Sequence, residues 1–262
     1  LSIGLPIVLL ILVKIKLNAK LTSFVIGCAT FIVFALMLEP ILHSVVLTAT
    51  GTLLTDNVIL YGLYGGLAAA LFEETGRLIA MKFFMKDSLN KPNTLMYGIG
   101  HGGIEAMVLI GMTYVSNLLY VAMINSGAIE AVIAQTEAMG VDVTPVYTLV
   151  DTLVNGPAYL YLLAGYERIL AMIGHVAMTL VVFYFMSKKQ TLKGIGICVL
   201  YHFVMDSMVG IIGGLATPYL GSVISQNVSY VITYVFLTAM AAVAVVAIGK
   251  IRAAWKAESV EM

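Results

Sequence analysis

Long apolar stretches separated by short polar segments make up most of this chain. Apart from the first, each is long enough for a helix that crosses the bilayer core, which takes roughly 20 apolar residues. The stretches run roughly over residues 1–14, 21–46, 57–86, 94–124, 157–187, 193–213 and 227–250. The pattern predicts an all-α, polytopic membrane protein with about seven transmembrane helices. We find no repeat, low-complexity segment or soluble domain, so residues 1–262 are predicted to form a single integral membrane domain.

Composition agrees with a membrane protein. Of the 262 residues, 61% are hydrophobic and only 11% are charged, which is unlike a soluble domain. The formal net charge is zero, so the overall charge balance does not indicate a partner. The apolar composition makes the lipid bilayer the expected partner, and no nucleic acid is expected. The cysteines Cys28 and Cys198 lie in separate apolar segments without metal-binding spacing, which disfavours a disulfide or a zinc–thiolate site.

The basic residues predict the orientation of the helices. Twelve of the fourteen Lys and Arg form four groups, namely Lys14, Lys16 and Lys20; Lys82, Lys86 and Lys91; Lys188, Lys189 and Lys193; and Lys250, Arg252 and Lys256. With seven spans all four groups lie on one side, which the positive-inside rule makes cytoplasmic. We therefore expect the N-terminus outside, the C-terminus inside, and a bacterial plasma membrane as the location.

The longest polar segment, residues 125–156, lies on the opposite side. It contains several acids and no Lys or Arg. Its partly amphipathic sequence predicts a short helix along the membrane surface. Such a segment serves either as a simple cover or as a gate over a substrate site, and the sequence leaves both alternatives open.

Ionisable residues inside the apolar segments are the main indication of function. They are Glu73, Glu74, Arg77, His101, Glu105, Glu167, Arg168, His175, His202 and Asp206. A charge in the bilayer costs from a few to about ten or more kcal/mol, so a chain that keeps this many uses them. Counted at 1.5 Å per residue, the acids and histidines of four helices lie about 10–20 Å from the basic ends. The sequence therefore predicts one polar site between the central helices, in a motif-bearing core of about residues 57–213.

Helical spacing narrows this set. Residues four apart share a helix face, as in three pairs: Glu73 and Arg77, His101 and Glu105, His202 and Asp206. Arg77 also follows Glu74 by three residues, so it neutralises one glutamate and leaves the other free as a general base. The predicted site consists of Glu73, Glu74, Arg77, His101, Glu105, His175, His202 and Asp206.

Three further polar residues are expected outside the site. Glu167 and Arg168 lie about 28 Å from the basic end of their helix, where structural pairing is favoured. His43, beside Glu39 near the outer end of the second helix, is not expected to take part.

The ordered motifs resemble the superfamily of CAAX-prenyl proteases, bacteriocin-processing enzymes and PrsW proteases, and most closely its YhfC branch. The motifs are EETGR at 73–77, GHGGIE at 100–105, ERILAMIGH at 167–175 and HFVMD at 202–206, and the resemblance covers roughly residues 65–210. It implies an intramembrane endopeptidase whose motif helices enclose a hydrophilic cavity open to the cytoplasmic side.

The resemblance also implies roles for individual residues. Glu73 or Glu74 would activate water and Arg77 would orient the acid pair. His175, or His202 with Asp206, would polarise the scissile carbonyl. Two departures are visible: Arg77 follows Glu74 after two residues, where the CAAX-type spacing has three, and the helices of His101 and His175 compete for the second motif.

Three mechanisms are compatible with these residues. A metal-independent endopeptidase with a glutamate base is favoured, acting on a protein or peptide within or at the membrane, with no cofactor. A zinc-dependent protease is the first alternative, with His101, His175 and His202 as ligands, although the HExxH signature is absent. A proton-coupled secondary transporter is the second alternative, because buried acids and histidines also relay protons.

Overall fold

The computed structural model describes residues 1–217 and 223–260, and side chains up to residue 257. This part of the chain is helical and contains no strand, which confirms the predicted all-α class. In chain order the helices are α1 (Gly4–Leu17), α2 (Leu21–Thr50), α3 (Val58–Ile79), α4 (Lys91–Ser126), α5 (Ala128–Ala138), α6 (Thr144–Asn155), α7 (Tyr159–Ser187), α8 (Thr191–Leu215) and α9 (Gln226–Val260). A short helical turn, Thr52–Thr55, precedes α3.

Two of these helices contain a π-helical segment, and a third is followed directly by one. Ile32–Leu38 interrupts α2, Met107–Gly111 interrupts α4, and Ala80–Phe84 continues α3. Such segments insert an extra residue into a helical turn and occur frequently at functional sites. Here they re-aim the helix faces on either side of them.

All seven predicted apolar segments form helices. Among the residues that the structure describes, five helices are long and apolar enough to span a bilayer: α2, α4, α7, α8 and α9. Helix α1 has 14 residues, about 21 Å at the helical rise. Helix α3 carries two glutamates and an arginine in its second half. The chain is an integral membrane protein, and seven crossings remain a prediction.

The segment 125–156 forms two helices, α5 and α6, where the sequence predicted one. On α5, Ile129 and Ile133 are buried on one face and Glu130 and Glu137 are exposed, so the amphipathic pattern is real. Its position at a membrane surface and its action as a gate stay predictions.

Asparagine side chains fix the starts of α3 and α4. Asn57 accepts hydrogen bonds from the backbone N–H groups of Ile59 and Leu60, and Asn90 accepts one from Asn93. These side chains satisfy N–H groups that have no partner within a helix. They set where each helix begins and, with it, the depth of the site residues.

Close backbone contacts at glycines fix the register between the central helices. A Cβ added to Gly66 of α3 would lie 2.2 Å from Ser207 Oγ of α8, and one added to Gly100 of α4 would lie 2.2 Å from the carbonyl oxygen of Phe24 in α2. Only glycine allows helices to approach so closely. The first contact sets the register of α3 against α8, and the second sets the register of α4 against α2.

The basic ends of the helices lie together. The backbone N–H of Lys20 donates to Asn93 Oδ1 at 2.7 Å, and Lys91 Nζ lies 4.8 Å from the Trp255 ring. Next to these ends, toward the middle of the helices, buried apolar side chains fill the interior. We call this cluster the basic-side core; it includes Met81, Met85, Tyr97, Met178, Val182 and Cys198. The polar site lies beyond this core.

Candidate functional site

The eight residues predicted from the sequence come together between α3, α4, α7 and α8. Seven are almost fully buried, with exposures from 0% to 8%. Only Asp206 reaches solvent appreciably, with 35% of its side chain exposed. Four helices therefore deliver one cluster of acids and imidazoles, although the chemical role of each residue stays a prediction.

Arg77 is paired with Glu74. Its Nε and Nη2 donate to the two Glu74 carboxylate oxygens at 2.9 and 3.0 Å. The same guanidinium donates to the Thr179 hydroxyl and, at 3.3 Å, to the His175 carbonyl oxygen. A two-pronged contact of this kind holds both partners in fixed positions. Glu74 is therefore neutralised. Within the part of the chain that the structure describes, Glu73 has no Lys or Arg partner and contacts only histidines.

Three histidines surround the Glu73 carboxylate. His101 Nε2 lies 2.8 Å from Glu73 Oε2, His175 Nδ1 lies 3.9 Å from the same oxygen, and His202 Nε2 lies 3.8 Å from Oε1. The His101 and His175 rings are 4.9 Å apart between centroids. Glu73 is thus the centre of the cluster.

The far nitrogens of His175 and His202 each face a further carboxylate. Glu105 Oε2 lies 2.6 Å from His175 Nε2, and Glu74 Oε1 lies 3.3 Å from His202 Nδ1. A carboxylate in this position fixes the proton on the nitrogen it faces and leaves the other nitrogen free as a ligand. The other two nitrogens lie on the side of Glu73, where His175 Nδ1 is also 3.2 Å from Arg77 Nη2 and His202 Nε2 is 3.2 Å from Asp206 Oδ2.

A cavity of about 430 Å³ opens onto this cluster. Five of the predicted residues line it: Glu73, Glu105, His175, His202 and Asp206. Glu74, Arg77 and His101 are absent from its lining and lie behind it. The predicted site thus divides into residues that face the cavity and residues that position them.

Glu167 and Arg168 also line this cavity, which corrects their assignment to the periphery. Arg168 donates to Glu167 and, through Nη1 at 2.7 Å, to Glu105 Oε1. The expected pairing is present, but at the cavity wall. The depth estimated from helical rise placed these residues too far from the site because it follows only the backbone. An arginine side chain reaches across more than one helical turn.

Glu39 is a cavity residue that sequence reasoning missed. It is 9% exposed, and His43 Nε2 lies 3.1 Å from its Oε1 while His43 Nδ1 lies 2.8 Å from the Tyr64 hydroxyl. A sequence signal was present, since Glu39 and His43 have the same four-residue spacing as the pairs within the site. It was passed over because it lies near the expected end of its helix.

The residues present fit a metal ion. One ligand atom from each of Glu73, His175 and His202 lies within 4.8 Å of the others. Two imidazoles and a carboxylate, with an open position, form a typical catalytic zinc site, in which ligand atoms are about 3.4 Å apart. Arg77 Nη2 lies 3.2 Å from His175 Nδ1, and Asp206 Oδ2 lies 3.2 Å from His202 Nε2. Metal binding at these two nitrogens would replace both contacts.

This ligand group differs from the predicted set of three histidines. Glu73 takes the place of His101, because His101 Nε2 is already directed at the Glu73 carboxylate. His101 Nδ1 is buried and has no hydrogen-bond partner. In this arrangement His101 holds one oxygen of Glu73 and leaves the other available.

The sequence matches known proteins over most of its length. The profile of a family described as YhfC intramembrane metalloprotease matches residues 1–232. The chain is similar to "Uncharacterized membrane protein YhfC" of Bacillus subtilis (strain 168), with 35% identity over 190 residues, which is 72% of each chain. No solved structure matches the chain. The wider resemblance to CAAX-prenyl and PrsW proteases stays a prediction.

Proposed function

Because the chain belongs to the YhfC intramembrane metalloprotease family, we propose that it hydrolyses peptide bonds of a membrane-associated protein or peptide with a zinc-like divalent metal. The ligands would be Glu73, His175 and His202. The observation that carries this proposal is the convergence of these three side chains, with both histidines backed by carboxylates.

A metal-dependent mechanism replaces the preference for a metal-independent one. That preference is not supported, since the family name denotes a metalloprotease and a Glu/His/His group is buried at the centre of the site. The transporter alternative is not favoured for the same reason. A bound zinc ion would supply Lewis acidity toward the scissile carbonyl and toward water.

Residues facing the cavity would handle the proton. Asp206 Oδ2 lies 3.2 Å from His202 Nε2, and its side chain is the most exposed of the eight. Once metal binding at His202 replaces this contact, the Asp206 carboxylate would be free in the cavity beside the ligand group. We therefore assign it the removal of a proton from the attacking water and the delivery of that proton to the leaving amine.

Residues behind the cavity would position the ligands. Glu74 is held by Arg77 and faces His202 Nδ1, which keeps Nε2 directed toward Glu73. His101 fixes the Glu73 carboxylate from the opposite side. None of these three positioning residues lines the cavity, so we expect them to act through the ligands rather than on the substrate.

The test is a cleavage assay in proteoliposomes. Purified protein is mixed with synthetic single-span peptides, and new peptide termini are read by mass spectrometry. Glu73→Gln and His202→Asn should lose cleavage by about 100-fold or more. The matched control Glu137→Gln, at an exposed position, should cleave like the wild type. His43→Asn, outside the ligand group, should keep the bound metal.

Chelation completes this test. Phenanthroline should abolish cleavage by the wild type, and added zinc should restore it. Cleavage that resists the chelator in metal-free protein and disappears in Glu73→Gln would instead support a metal-independent glutamate mechanism. Full cleavage by both ligand variants would remove the proposed site altogether.

A further inference from the structure

The direction of the cavity indicates the side from which this site is reached, and this inference rests on the proposed function. We infer that substrate and water reach the site from the side opposite the basic ends of the helices. By the positive-inside rule this is the extracytoplasmic side. The substrate is then a membrane segment whose scissile bond lies in the extracytoplasmic half of the bilayer.

The first argument is the position of the cavity lining along each helix. Helix α7 runs toward its basic end and α8 runs away from its own. On α7 the cavity extends from His175 to Glu167, and on α8 from His202 to Gly210. Each displacement is about two helical turns, or roughly 10 Å, away from the basic ends. On α3 it extends in the same sense, from Glu73 to Ala69.

The second argument is the closure of the opposite side. Two turns from His175 toward the basic end, Val182 is fully buried, and Met178 between them is 2% exposed. Met81 and Tyr97 are also fully buried and complete the basic-side core. A cavity of about 90 Å³ beside Met178 and Cys198 is lined mainly by apolar side chains, and apolar cavities in proteins stay dry. The site is therefore sealed on the side where the resemblance implied an opening.

The third argument is that the cavity reaches the lipid-facing surface of the helices. Leu36, in the π-helical segment of α2, and Leu109, in that of α4, both line the cavity. Their exposures are 36% and 45%. Closer to the basic ends than these segments, α2 and α4 are in tight contact at Gly100. A membrane-embedded substrate segment would enter between the two π-helical segments without leaving the bilayer.

The charges along the cavity wall agree with this route. Glu39, Glu167 and Asp206 lie on the side of the ligand group away from the basic ends, with Arg168 among them. The segment 125–156 at that end carries acids and no Lys or Arg. A cleft with an excess of acids attracts cations, so a metal ion and a positively charged reagent should both enter from this side.

Cysteine accessibility tests the inference without requiring hydrolysis or metal. Cys28 and Cys198 are replaced by alanine, and Val209→Cys is compared with Val182→Cys. Both are the same substitution about two turns from a ligand histidine, but Val209 lines the cavity and Val182 is fully buried in the basic-side core. Exposed serines at the two ends, Ser126 and Ser187, are replaced by cysteine to report sidedness.

The reagent is a membrane-impermeant, cationic methanethiosulfonate, applied to intact cells and to inverted vesicles. Val209→Cys should react from the side on which Ser126→Cys reacts, about tenfold faster than with an uncharged reagent of equal size. Val182→Cys should react from neither side. Reaction of Val209→Cys from the Ser187 side, or from neither side, would overturn the inference, as would equal labelling of Val182→Cys. Loss of metal or of cleavage would bear only on the proposed function.

Discussion

A single methyl group at Gly100 tests how the helix contacts support the site. In Gly100→Ala the new Cβ would lie 2.2 Å from the Phe24 carbonyl oxygen and 2.9 Å from its carbon. Ordinary contacts begin at 3.4 Å, so α2 and α4 must separate by about 1 Å in a close-packed interior. Both contact atoms are backbone atoms, which cannot rotate away.

The separation should reach the ligand group through the neighbouring residue. His101 Nε2 lies 2.8 Å from Glu73 Oε2, and a displacement of about 1 Å takes this contact beyond hydrogen-bond range. Overpacking of this kind costs about 1–3 kcal/mol, and the helix propensity of alanine returns about 1 kcal/mol. We expect a net loss of up to about 2 kcal/mol in the free energy of unfolding, with roughly tenfold weaker zinc binding.

The assay is denaturation in detergent micelles together with zinc titration. Gly196→Ala on α8 is the matched control, because its Cβ would meet nothing within 4 Å. It should leave zinc affinity unchanged and stability equal or slightly higher. If Gly100→Ala matches this control in both measurements, the contact between α2 and α4 does not position His101, and the argument from glycine packing is wrong.

Three further predictions concern the positioning groups and the metal. Glu105→Gln weakens the carboxylate facing His175 and should lower zinc affinity by about 10–100-fold in equilibrium dialysis; affinity equal to that of the exposed control Glu130→Gln would contradict this. Glu74→Gln leaves the buried Arg77 charge without its partner and should lower the free energy of unfolding by about 3–5 kcal/mol in micelles. A loss as small as that of the exposed control Glu130→Gln would argue against the buried pair. Zinc at about a hundred times its dissociation constant should raise the free energy of unfolding by about 3 kcal/mol over the chelated protein, and identical unfolding midpoints would argue against a folded-state site.

Much of the helical framework was predictable from hydrophobic length alone. Each of the seven apolar segments is helical, and the eight predicted site residues do meet, because the four-residue spacing on separate helices set the face and helical rise set the depth. The split of residues 125–156 into α5 and α6 was not predictable from amphipathic pattern, which indicates a helical face but not where a helix ends.

The pairing inside the site depended on tertiary contacts that the sequence does not express. Arg77 lies within reach of both Glu73 and Glu74 along its own helix. In the structure Arg77 pairs with Glu74, and it also donates hydrogen bonds to Thr179 and to the His175 carbonyl on α7. Which residues join the ligand group depends likewise on the register between helices, and close backbone approach at a few glycines sets that register.

The metal content of the purified protein tests the central claim most directly. Elemental analysis after zinc loading and dialysis should give about one zinc per chain for the wild type and for His43→Asn, and close to none for His202→Asn. The claim that Glu73, His175 and His202 form the metal site would be contradicted if His202→Asn kept the wild-type zinc content, or if the folded wild type held none.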